Sequence, residues 1–240
     1  RNNGKRGKGR PELNGPERAE DGTILPNAKF PDMKNLADYV HSLGLKIGLY
    51  SSPGPHTCGG CTGSYKYEEL DAKTWAKWGF DFIKYDWCSY GGVKFKGKYS
   101  EKMIYPYRLM GTILKNVGRD IVFSICQYGM HDVWKWGAEV GGSSWRTTGD
   151  VWDNWNVVAP AIGRQAYIGR YTRPGGWNDP DMLVVRPTLK QTKLTPNEQY
   201  SHISLWAMVA SPLMIGCDMS RLDDFTYALL TNDEVIAIDQ

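Results

Sequence analysis

The chain lacks any apolar run approaching the roughly 18 to 20 residues that a membrane-spanning helix needs, and no signal-peptide pattern opens it. It also lacks short-period repeats, low-complexity tracts and any stretch that reads as a linker. A helical membrane anchor, a repeat array and a string of small modules are therefore not expected, and residues 1–240 read as a single domain. Cysteine is scarce and odd in number: five residues exclude a complete disulfide framework and leave at least one thiol over. Charge of one sign is scarce too, with 29 basic against 26 acidic residues for a formal net charge of +3. Much of that surplus sits in the opening RNNGKRGKGR, whose basic residues lie among Gly and Asn. That pattern reads as a solvated loop, and no nucleic-acid partner is expected without a clustered basic face. There is no N-x-[ST] sequon, which fits a bacterial source.

What is present is material for a core. Hydrophobic residues make up 41% and charged residues 23% of 240, the balance of a globular chain near the size of one α/β barrel. Ten tryptophans and fourteen tyrosines suit either packing or stacking against the apolar faces of sugars or bases.

Periodicity then orders the chain. Met33, Leu36, Ala37, Val40 and Leu43 recur at helical spacing, Gly44 stops that helix, and LKIGLY (45–50) follows as an apolar run. The unit repeats: a helix from about Glu68 to Trp78 feeds FDFIKY through Gly79, and a helix from about Glu101 to Val117 feeds IVFSIC (121–126) through Gly118. EVGGSSW (139–145), PGGWNDPDM (174–182) and SPLMIG (211–216) read as three more strand ends, for six strands in all. Thr195-Pro-Asn-Glu198 is a capping box with Pro in the first helical position, opening a helix that buries Ile203, Trp206 and Val209. Helices alternating with continuous apolar strands predict a parallel sheet buried on both faces, the α/β class.

Each unusual polar cluster follows one of these strands: Tyr50, Lys84 with Asp86, Gln127, Arg146 with Asp150, and Asp179 with Asp181. In a parallel barrel all would meet at the rim where active sites form. Two carboxylates are the minimum for splitting a glycosidic bond, and Asp86 and Asp150 are the candidates. Lys84 shares a strand face with Asp86, and a cation there favours the ionised carboxylate that a nucleophile needs. Any one such pair is more often a structural ion pair. Trp145 and Met182, taken singly, are more often packing residues. The carboxylates of NDPD taken alone would cap a segment or bind a cation.

Two readings of other classes stand beside this one. Cys58-Gly-Gly-Cys61 could be a redox pair or half of a zinc site, but no second CxxC or HxxxH follows. A carbohydrate-binding domain without turnover would also use aromatics and scattered carboxylates.

Together KIGLYSSPGPHTCGG, DAKTWAKWGFDFIKYDWC, SSWRTTGD, GGWNDPDMLVV, SPLMIGCDM and EVIAIDQ resemble glycoside hydrolase family 27, the α-galactosidases and α-N-acetylgalactosaminidases, in order from Phe30 to Gln240. The resemblance implies a (β/α)8 TIM barrel and a retaining double displacement without metal or organic cofactor. It implies Asp86 as nucleophile, Asp150 as acid/base, and Tyr50, Lys84, Arg146 and Asp181 as ligands of sugar hydroxyls. Met182 would line the pocket beside Cys58, and Cys58 would pair with Cys88.

The sequence departs from the family pattern in three places. The family's first two β/α units, with their W-N-S-W and D-D-G-W motifs, have no counterpart here, nor has its C-terminal β-domain, so a missing segment or a second chain is expected to complete the barrel. Cys126-Gln127-Tyr128 stands where many members have C-E-W or C-N-W, which leaves galactose against N-acetylgalactosamine open through Gln127, while β-L-arabinopyranose stays open because its discrimination depends on the missing D-D-G-W region. Gly142 occupies the position of the usual partner of Cys126, so Cys126 is expected to be a buried thiol. The expected partner is a carbohydrate, with no membrane, and the expected address is secreted or periplasmic.

Overall fold

The structure is a computed structural model, and it describes residues 16–185 and 192–240. The basic opening segment lies outside the described residues. The chain divides into two compact units: residues up to Cys126 with Glu139–Ser143, and Gln127–Ala138 with Ser144–Gln240.

The first unit holds α1 (Met33–Ser42), β1 (Gly48–Ser51), α2 (Glu68–Trp78), β2 (Phe82–Asp86), α3 (Tyr99–Leu114) and β3 (Val122–Cys126). Helix α1 begins where the Asp32 carboxylate accepts from the Asn35 amide at 2.8 Å, and α2 ends on Gly79 in the left-handed region, φ 91°. The three strands pair in parallel, with Tyr50 opposite Lys84 and Asp86 opposite Cys126. Parallel neighbours need a helical crossover, which α2 and α3 supply. Ala37, Ala72, Trp75, Phe80, Ile83, Tyr85, Met103, Tyr107, Met110, Phe123 and Ile125 are buried between strands and helices. Gly111 is required there, because a Cβ would collide with the Val140 carbonyl oxygen.

At the amino ends of the strands Asp81 gathers three donors: His41 Nε2 at 2.7 Å, the Ile47 amide at 3.0 Å and Arg119 Nη2 at 2.6 Å. Burial pushes this carboxyl up, but those donors outweigh it and hold its pKa well below the usual range. The cluster ties α1 and the segments entering β1, β2 and β3 at the end of a parallel sheet associated with stability rather than chemistry.

The second unit holds α4 (Val133–Trp136), β4 (Ser144–Arg146), α5 (Trp155–Ile168), β5 (Trp177–Asp179), α6 (Pro196–Met208), α7 (Asp224–Leu230) and α8 (Asp233–Asp239). Strands β4 and β5 are parallel with Arg146 opposite Asp179. The expected capping box opens α6: Thr195 Oγ1 accepts from Glu198 N at 3.3 Å while Glu198 Oε2 accepts from Thr195 N at 2.7 Å. Val151, Val158, Ala161, Leu183, Val184, Ile203, Trp206 and Leu229 form the core.

Two expectations are corrected. Among the described residues there are five named strands rather than six: SPLMIG contributes only one parallel bridge, Leu183 with Ile215. Pro212 has no amide to give a ladder, and the Ser211 amide is already bonded to the Trp206 carbonyl at 3.2 Å. Burial on both faces also fails for β1, where Gly48 and Tyr50 are exposed. Among the described residues β1 pairs along one edge only.

Candidate active site

In the first unit the candidate residues cluster at the carboxyl ends of β1 and β2. Asp86 ends β2 with 5% exposure. Both of its oxygens are engaged: Tyr50 Oη donates to Oδ2 at 2.8 Å and the Trp87 amide to Oδ1 at 2.6 Å. Desolvation and then the neighbouring Asp86 charge push the Tyr50 pKa far above that of an ordinary phenol, so this phenol remains a donor at any working pH. The same Oη lies 3.3 Å from Cys88 Sγ. Lys84 is partly buried two residues before Asp86 and directly across from Tyr50 in the ladder.

Cys88 is joined to Cys58, the pairing implied by the family resemblance. Cys61, Cys126 and Cys217 remain thiols, Cys61 exposed and Cys126 buried. Cys58 is thus bonded to Cys88 rather than Cys61, which removes the CxxC pair as a dithiol. Cys58, Asp86 and Cys88 present atoms within 4.8 Å of one another, but sulfurs bonded to each other have no thiolate to give a metal.

The sequence did not announce how the Gly- and Pro-rich loop before α2 is held. Ser52 Oγ donates to the Cys88 carbonyl at 2.5 Å, Ser89 Oγ donates to the His56 carbonyl at 2.7 Å, and the His56 amide donates back to Ser89 Oγ at 2.9 Å. Gly54 is obligatory because a Cβ would strike Ser89 Oγ and the Cys88 carbonyl. Arg18 closes the other side of the loop, bonding Asp71 at 2.6 and 2.9 Å and the Gly63 carbonyl at 2.8 Å. Serines among Gly and Pro were the available signal. An Arg18–Asp71 pair 53 residues apart left none.

In the second unit Arg146 organises the rest. Its guanidinium is 1% exposed and Nη1 meets Asp181 Oδ1 at 2.9 Å. Nη2 donates to the Gly149 carbonyl at 2.8 Å and reaches Asp150 Oδ1 at 3.3 Å. The Asp150 side chain itself is 72% exposed. Asp181 Oδ2 accepts from the Val151 amide at 2.6 Å, and the Asp181 amide donates to Asp179 Oδ1 at 2.8 Å. Asp181 has φ 93°, a strained conformation for a non-glycine residue and one that clusters at functional sites. Met182 beside it is 38% exposed, Gln127 is fully buried, and Trp145 is fully buried with Nε1 donating to Asn178 Oδ1 at 2.7 Å. The packing reading of Trp145 therefore holds.

The comparisons with known proteins follow from this geometry. The sequence model of the family described as Alpha galactosidase A (Melibiase_2) matches residues 13–240. The chain belongs to glycoside hydrolase family 27. It is 45% identical over 232 residues to an alpha-galactosidase of Cyamopsis tetragonoloba, an alignment covering 95% of this chain and 53% of that one. It superposes on alpha-galactosidase I from Mortierella vinacea with a TM-score of 0.82 and 34% identity, over 93% of this chain and 60% of that one. A family 27 β-L-arabinopyranosidase from Geobacillus stearothermophilus gives 0.71 and 26%, over 87% and 57%. The fold is that of the family's (β/α) barrel enzymes, of which the described strands form part. The chain spans about half the length of the curated relatives it matches. No helix among the described residues is long and apolar enough to cross a membrane.

Proposed function

We propose that residues 1–240 are the catalytic part of a retaining exo-glycosidase that removes terminal α-linked galactose from oligosaccharides or polysaccharides. In this reading the Asp86 carboxylate attacks the anomeric carbon. The bond to the leaving oxygen breaks as Asp150 gives that oxygen its proton, and a covalent glycosyl-enzyme results. Asp150, now a carboxylate, then takes a proton from water as the water displaces Asp86. The observation that carries the reading is a buried carboxylate at a strand end with a Tyr50 donor and a Trp87 amide fixing its two oxygens. Asp150 is exposed and in long contact with Arg146 at 3.3 Å, which suits a group that must exchange protons twice per turnover.

Tyr50, Cys58 and Lys84 of the first unit and Arg146, Asp181 and Met182 of the second are proposed contacts of the sugar, while Gln127, fully buried, offers no surface to the substituent on the second carbon. A neighbour named as a β-L-arabinopyranosidase favours one second reading, that sibling specificity, since arabinopyranose is galactose without its hydroxymethyl arm. The Cys58–Cys88 bond supports an oxidising compartment, the cell exterior or a periplasm.

The test is a panel of aryl α-galactoside, α-N-acetylgalactosaminide and β-L-arabinopyranoside with the full-length protein, following the first-formed anomer by NMR. Cleavage of the α-galactoside with retention is expected. Inversion would remove Asp86 as nucleophile, and preference for the arabinopyranoside would promote the second reading. Asp86→Ala should abolish turnover, and added azide should restore it with a glycosyl azide as product.

A further inference from the structure

We infer that Trp152 is the platform on which the departing saccharide stacks, a leaving-group subsite built into the loop that carries Asp150. The inference rests on the assignment of Asp150 as the proton donor above, since the donor must lie on the side of the sugar from which the leaving group departs.

A lone exposed apolar side chain is ordinary on a protein surface. Trp152 differs because its loop is fixed on both sides while its own ring is left in water. It is 58% exposed. One residue before it, Val151 is buried and its amide is bonded to Asp181 Oδ2 at 2.6 Å. One residue after it, the Asp153 carboxylate accepts from Thr192 Oγ1 at 2.6 Å and from the Lys193 amide at 2.8 Å. The Asn154 amide donates to the Trp152 carbonyl at 2.6 Å, and Asn154 caps α5 through the Asn156 amide at 3.0 Å. The backbone under the indole is thereby fixed, so only the side-chain torsions of Trp152 remain to be ordered when it stacks on a ligand.

Direction follows from the alternation of exposed Asp150, buried Val151 and exposed Trp152. The acid and the indole are both open to solvent two residues apart on one short segment, with buried Val151 between them. A pyranose presents a flat patch of C–H groups that an indole face covers well, and its hydroxyl edges stay in water. The ligand class is therefore a neutral saccharide attached through its glycosidic oxygen to the sugar being cleaved.

The test compares Trp152→Ala with wild type on an α-1,6-linked galactosyl disaccharide and on α-galactosyl fluoride, whose leaving group is a single atom and reaches no subsite. The quantity read is the ratio of kcat/KM for disaccharide to that for fluoride. It should fall about tenfold in Trp152→Ala, through KM for the disaccharide, the size of one aromatic contact, and return most of the way in Trp152→Phe. A ratio within twofold of wild type in Trp152→Ala overturns the subsite, whether both substrates weaken together or neither does. Failure of the parent reading looks different: wild type would then turn over neither substrate, and the subsite would go with it.

Discussion

Tyr50 Oη stands 2.8 Å from Asp86 Oδ2 and 3.3 Å from Cys88 Sγ, so one phenol touches both the proposed nucleophile and the disulfide. Its raised pKa, set first by desolvation of the hydroxyl on this otherwise half-exposed ring and then by Asp86, keeps it a donor. Tyr50→Phe removes that donor while keeping the ring. A hydrogen bond to a charged group is worth about 1.5 to 3 kcal/mol, so the unfolding free energy should fall by up to that much, and kcat should drop about tenfold or more because the carboxylate loses the contact that fixes its position. Wild-type kcat in the purified variant would end the positioning role of this phenol.

Arg146 and Asp181 form an ion pair at 2.9 Å with 1% and 3% side-chain exposure. Removing one partner of a buried pair leaves the other charge uncompensated, at a cost of about 3 to 5 kcal/mol. Asp181→Ala also orphans the Val151 amide and with it the loop bearing Asp150. Denaturant unfolding should show a loss in that range, and Asp150→Ala, at a 72% exposed side chain, should show almost none. Similar losses in the two variants would mean that the burial of the pair carries no special weight.

The Cys58–Cys88 bond closes a separation of 30 residues, and its loss should cost about 3.6 kcal/mol by loop-closure arguments. Reduction should therefore lower the melting temperature. Activity should fall at a temperature where the protein is still folded, because Cys88 contacts Tyr50. Alkylation of the denatured, unreduced protein should mark three cysteines, Cys61, Cys126 and Cys217, and all five after reduction. Five marks before reduction would refute the bridge.

Much of this was legible in the chain. The helix read from about Glu68 to Trp78 is found with those bounds, because Gly79 supplies a left-handed stop that local sequence announces. FDFIKY and IVFSIC became β2 and β3 within a residue or two, since continuous apolar runs between helices have few alternatives. What failed depended on neighbours. β1 is as apolar as a buried strand, yet its exposure is decided by which edges are paired. SPLMIG has strand-like composition, but Pro212 and the Ser211 bond to Trp206 spoil its ladder. In the site, residue types at strand ends named Asp86, Tyr50, Arg146 and Asp181. Nothing in their spacing said that the Arg146 guanidinium would bind the loop of Asp150 through the Gly149 carbonyl, or that Trp152 would stand exposed between two anchored residues.

Between about pH 6.5 and pH 4 a pH dependence should come from a histidine outside the proposed chemistry. His202 in α6 is fully buried against Trp206, ring centroids 4.1 Å apart. The Val184 amide points at its Nε2 at 3.1 Å, so Nε2 must accept and the ring proton sits on Nδ1. Protonating Nε2 would break that bond inside an apolar core. Burial accordingly lowers its pKa from 6.5 to about 4. With the folded value below the unfolded one, the unfolded chain binds the extra proton between about pH 6.5 and pH 4, so stability is complete above that window and drains away as pH falls through it. The full loss is roughly 3 kcal/mol at about 1.36 per pH unit of displacement. His202→Gln keeps an acceptor for Val184 but cannot titrate. Its stability should be lower at neutral pH, from imperfect packing against Trp206, yet flatter than wild type from pH 6.5 to 4 in urea unfolding. Parallel slopes in that window would mean that His202 is already charged in the folded protein, which the Val184 hydrogen bond forbids.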